Sequence, residues 1–109
     1  MTRSGFDQVI KAFVKCGLPE NEEVVRVNFG LEFSIGDSAE GIKFGGECLL
    51  NGGRYVPIDL HKIGKAKCRE LRHSIKVFYR EYLLSLAEKS NVVEIVFLPP
   101  SNEMVYTFR

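Results

Sequence analysis

Residues 24–35, VVRVNFGLEFSI, alternate apolar and polar positions along nearly their whole length. Val25, Val27, Phe29, Leu31, Phe33 and Ile35 fall on one side, and Arg26, Asn28, Gly30, Glu32 and Ser34 on the other. Successive side chains of a strand point to opposite faces, so a period of two predicts a strand with one buried and one wet face. Such strands belong to antiparallel sheets covered on one side. Upstream the period changes. Phe6, Val9, Ile10, Phe13 and Val14 recur at the three- and four-residue spacing of one helical face. Ser4 stands where an N-cap belongs, and Gly17 followed by Pro19 is a helix stop.

Past the turn signal at Gly36-Asp37, the apolar residues Ile42, Phe44, Cys48, Leu49 and Leu50 predict a second strand. Gly45-Gly46 interrupts it, which calls for a bulge or a close backbone approach. Asn51-Gly52-Gly53 tolerates positive φ and predicts a hairpin turn into a short third strand, Arg54–Ile58. Pro57 cannot donate to a ladder and suits a sheet edge or a strand end. Asp59 is placed to cap a long helix, with Gly64 weakening its first turn so that the start can slip to Lys65. Cys68, Leu71, Ile75, Phe78, Tyr82 and Leu86 form its apolar face, and it ends near Lys89–Asn91. VVEIVFL at 92–98 reads as a buried strand, Pro99–Asn102 as a turn, and Met104, Tyr106 and Phe108 as one face of a last strand.

The order is therefore α-β-β-β-α-β-β. Short turns between consecutive strands imply antiparallel pairing. The expected fold is a single α+β domain over residues 1–109. It is a two-layer sandwich, with an antiparallel sheet of about five strands and two helices on one face. The core should include Phe29, Leu31, Phe33, Ile75, Phe78, Ile95 and Phe97.

Composition narrows the function more than the fold. The 109 residues are 45% apolar and 27% charged, which excludes disordered and fibrous classes. No apolar run approaches the ~20 residues of a membrane span. The N-terminal segment has no continuous apolar core of a secretory signal, so a cytoplasmic location is expected. Cys16, Cys48 and Cys68 are odd in number and widely spaced, a pattern of reduced thiols rather than a disulfide framework. His61, Cys68 and His73 lack metal-ligand spacing, and Cys68 and His73 would point about 140° apart on a helix. No nucleophile elbow, P-loop or dinucleotide fingerprint is present, so no catalytic residue, metal or cofactor is assigned.

Charge is more informative. Net charge is only +1, yet residues 1–60 carry −3 and residues 61–109 carry +4. Lys65, Arg69, Arg72, Lys76 and Arg80 recur every three or four residues and form a basic stripe on the long helix. The opposite set, Glu20, Glu22, Glu23, Asp37, Glu40 and Glu47, falls in the expected loops and turns of the first half. Loops on a rigid sheet are common recognition elements. An acidic set there can dock on a basic protein groove by charge complementarity. The stripe offers the alternative of a small RNA- or DNA-binding module.

The layout resembles small bacterial immunity proteins, the antitoxins that neutralise toxin domains, and among them the YezG-like group. The matching stretches are Phe6–Val14, Val24–Ile58, Lys65–Lys89 and Val92–Phe108. That group typically carries a Trp at the start of the penultimate strand, and this chain has no Trp. No residue role is therefore carried over. The resemblance implies a non-enzymatic protein that binds one toxin domain tightly; the acidic loops point to a nuclease as that toxin, and no membrane attachment is expected.

Overall fold

The computed structural model describes residues 3–34, 41–80 and 92–109. Its elements are α1 (Arg3–Cys16), β1 (Val24–Ser34), β2 (Gly41–Leu50), β3 (Tyr55–Pro57), α2 (Leu60–Ile63), α3 (Lys65–Phe78), β4 (Val92–Leu98) and β5 (Glu103–Phe108). The α+β class and the five-stranded antiparallel sheet are those expected. The chain divides into two compact units, each built from two segments. Met1–Gly17 and Asp59–Lys89 form a helical unit, and Leu18–Ile58 and Ser90–Arg109 form a sheet unit.

In the helical unit, the apolar spacing of α1 buries Phe6, Ile10, Phe13 and Val14, and that of α3 buries Leu71, Ile75 and Phe78. The rings of Phe6 and Phe78 stack with centroids 4.0 Å apart and planes 2° from parallel. The helix α1 begins at Arg3, so Ser4 lies inside its first turn instead of capping it. At the other end the Gly17 N–H donates to the Val14 carbonyl at 2.9 Å, closing the helix where the sequence stop stands. Asp59 does cap a helix, accepting from the Lys62 N–H at 3.0 Å. That helix is the four-residue α2, because Gly64 (φ 96°, ψ 158°) turns the chain before α3 starts at Lys65. The expected continuation through Tyr82 and Leu86 to Lys89–Asn91 lies outside the described residues.

In the sheet unit the strand order is β3-β2-β1-β4-β5, every pair antiparallel. β1 is central, which explains why its alternation is the longest. Val27, Phe29, Leu31, Phe33, Cys48, Val93, Ile95, Phe97 and Tyr106 are buried on one face. The register shifts between Val24 and Arg26, so Val24, and not Val25, takes the buried place at the head of β1. β4 alternates buried and half-buried residues instead of being buried throughout. Gly45-Gly46 causes no break: β2 pairs with β1 continuously from Gly41 to Glu47 and beyond. Gly46 is the close approach, since a Cβ there would sit 2.1 Å from the Asn28 carbonyl oxygen. Pro57 ends β3, at the sheet edge. Gly53 (φ 88°) and Asn102 (φ 61°) supply the left-handed positions of two of the three expected turns, and the Gly36-Asp37 turn lies outside the described residues. All seven core residues expected from the pattern are buried.

Candidate protein-interaction surface

Register places the second face of the sheet in rows. One row carries Pro57, Glu47, Asn28, Val96 and Val105 on consecutive strands. The next carries Gly45, Gly30, Glu94 and Thr107, and the one after it Lys43, Glu32 and Val92. Two glycines therefore stand side by side, on neighbouring strands, between rows that carry side chains on both of those strands. The face dips there. A groove of about 590 Å³ runs over Gly30 and Gly45, bounded by Arg26, Asn28, Glu47, Tyr55, Pro57, Glu94 and Val96. A second hollow of about 270 Å³ shares the same two glycines and Glu94 and is walled by Glu32 and Lys43.

The charges around the groove differ in how far they are engaged. The Arg26 Nε donates to Asn28 Oδ1 at 3.0 Å. Glu94 pairs with Arg109 at 3.2 Å. Glu32 faces Lys43 across the β1–β2 pair. Glu47 is exposed, and no described cation pairs with it. Its carboxylate adds to burial, the larger cause, in pushing the thiol of neighbouring Cys48 above its ordinary value. Tyr55 stands at the rim with 51% of its surface exposed.

The acidic residues picked out in the sequence do not form one loop cluster. Glu20, Glu22 and Glu23 precede β1, and two of them are tied to the β2–β3 turn. Arg54 Nη2 donates to both Glu22 carboxylate oxygens, at 2.9 and 3.2 Å, and Asn51 Nδ2 donates to Glu23 Oε2 at 3.2 Å. Glu47 is not a loop residue: with β2 unbroken through the glycines, it sits on the open sheet face. Asp37 and Glu40 lie outside the described residues. The basic stripe is on the helical unit as expected. Lys65, Arg69, Arg72 and Arg80 are exposed, and Lys76 is half-buried because it lies next to the buried Ile75.

The sequence reading missed the paired glycines, Glu94, and Tyr55. Pairing at 30/45, 28/47 and 34/41 is centred between positions 37 and 38. A register counted from the Gly36-Asp37 signal itself is centred one residue earlier and sets Gly30 against Lys43, so the glycine pair came to light only in the paired strands.

His61 and His73 are both exposed, on α2 and α3. Among the described residues no group of three or more His, Cys, Asp or Glu is placed to hold a metal ion. All three cysteines are free, Cys48 buried and the others half-buried. No described helix is long and apolar enough to cross a membrane. No protein-family model matches this chain, and no curated protein sequence matches it.

Proposed function

We propose that this chain is a non-enzymatic cytoplasmic binding protein, an immunity protein that neutralises a toxin domain by occupying a basic surface of it. One observation carries this reading: the sheet unit that bears the groove is acidic. Its two segments hold nine Asp and Glu against four Lys and Arg, a net of −5. An acidic unit with an open depression complements a nuclease-like toxin, whose substrate groove is basic. Carboxylates at the rim speed association, and the contacts at the centre hold the complex.

The reading is tested by retrieving the tagged chain from its own cells and weighing the complex by light scattering. One protein should be retained at equal stoichiometry through gel filtration at physiological salt. Reversing Glu22, Glu23 and Glu47 to Lys should slow association about 10-fold or more and flatten its salt dependence.

A specific observation favours a second reading. The helical unit carries eleven Lys and Arg against five Asp and Glu, a net of +6, with the stripe on one helix. On that reading the chain binds RNA or DNA phosphates. Tight RNA binding at physiological salt, abolished by Arg69→Glu, Arg72→Glu and Lys76→Glu with no protein retained, would put it in place of the first.

A further inference from the structure

Three of the described glycines are demanded by the fold. Gly46 has no room for a Cβ, and Gly53 and Gly64 sit at positive φ. Gly30 and Gly45 are not. Neither has positive φ; a Cβ on Gly45 would meet nothing within 4 Å, and on Gly30 only the Gly45 carbonyl at 3.9 Å. Glycine in a strand interior costs stability, through backbone entropy and the missing cross-strand side chain. Here the cost is taken twice, on paired positions of the open face, with nothing among the described residues that requires it. What a bare backbone permits is close approach from outside.

The surroundings say what approaches. The trough is flanked by three carboxylates: Glu47 two residues beyond Gly45, Glu32 two beyond Gly30, and Glu94 opposite Gly30. Two of them already face cations, Arg109 for Glu94 and Lys43 for Glu32. Glu47 has no ion pair among the described residues, the one arginine that also lines the groove, Arg26, being turned onto Asn28 Oδ1; Glu47 stands beside Pro57 on β3, and Tyr55 lies two residues before Pro57. Val96 and Pro57 give the groove apolar walls. A channel with a bare floor, apolar stretches of wall, a carboxylate at its side and an exposed tyrosine ring at its rim suits an arginine. The stem lies along the channel, the fork meets the carboxylate, and the ring accepts the guanidinium face.

We propose that the Gly30–Gly45 trough receives an arginine side chain from a loop of a basic partner protein, with its guanidinium against Glu47. The proposal rests on the protein-binding reading above and names the chemistry of that contact.

The test titrates the ¹⁵N-labelled chain with the capped peptide Gly-Gly-Arg-Gly-Gly and with its citrulline counterpart, which keeps the shape and loses the charge. Shifts should saturate in the millimolar range at Asn28, Gly30, Gly45, Glu47 and Tyr55. Citrulline, or Glu47→Gln, should weaken binding about 5- to 10-fold, the net scale of one hydrogen bond in contact with solvent. Gly45→Val should remove the peptide shifts while raising the thermal midpoint by a few degrees, so that lost binding is not lost folding. It should also weaken a retained protein complex by about 10-fold or more. Shifts centred on Glu22 and Glu23, equal binding of citrulline, or a Gly45→Val chain that holds its partner like wild type would overturn the proposal and leave the protein-binding reading intact. No retained protein together with tight RNA binding would overturn both.

Discussion

The helical and sheet units are both assembled from two distant segments, and both bury a continuous apolar face, yet their charges are opposite. Both segments of the helical unit are positive, +2 and +4, and both segments of the sheet unit are negative, −4 and −1. Charge sign therefore follows the three-dimensional unit and not position along the chain. A split at residue 60 blurs this sorting, since it assigns the cationic α1 to the acidic half. A difference that survives such interleaving marks two units of opposite net charge, each with its own surrounding potential.

The comparison is tested first at the two cores. Truncating Phe78 to Ala removes a fully buried ring stacked on Phe6 and should cost about 3–5 kcal/mol in urea unfolding. Phe29→Ala in the sheet unit should cost a similar amount. The pair Phe6→Ala with Phe78→Ala should cost less than the sum of the two, because the second truncation finds the stack already broken. Strict additivity would mean that the stacking is not what holds α1 to α3.

The next effect separates two adjacent glycines of the sheet. Gly46→Ala forces a Cβ against the Asn28 carbonyl and should destabilise by about 1–3 kcal/mol. Gly45→Ala should be neutral or stabilising by up to about 1 kcal/mol, as its Cβ meets only solvent. If the two behave alike, Gly45 has a structural duty and the trough loses its rationale. In the helical unit, Asp59→Ala deletes the cap of α2 and should cost about 1 kcal/mol, with Asp59→Asn retaining most of the stability.

The smallest expected effect is a pH dependence confined to the sheet unit. Folding keeps the Cys48 proton on, by burial and then by the Glu47 charge, while the unfolded chain releases it near pH 9.0. The folded state then holds more protons than the unfolded one, so stability falls as pH rises above about 9.0. The Cys48→Ala chain should lose less stability than wild type over that range, and a disulfide reagent should label Cys16 and Cys68 well before Cys48.

Much of this architecture was legible because it rests on side-chain periodicity. β1, β4 and the α3 start at Lys65 follow from which positions are apolar and where glycine interrupts. What escaped depends on pairing. Two successive valines give no sign of which is the extra residue, so the shift at Val25 became visible only against Leu49 and Leu50 of β2. Gly45 and Gly46 look identical along the chain, but one faces open space and the other a carbonyl 2.1 Å away. Glu47 read as a loop residue for the same reason. The acidic character of the first half was legible; which carboxylates were already held by Arg54 and Asn51 was not.

The Phe6–Phe78 stack joins positions 72 apart in the sequence. Its consequence lies in synthesis. Chain emerges from the ribosome at about 5–20 residues per second, so α1 waits roughly 3–12 seconds before α3 exists to receive it. Throughout that interval Phe6, Ile10, Phe13 and Val14 have no helical partner, while β1, β2 and β3 can already pair through local hairpins. The nascent helix is thus the segment that a chaperone would hold.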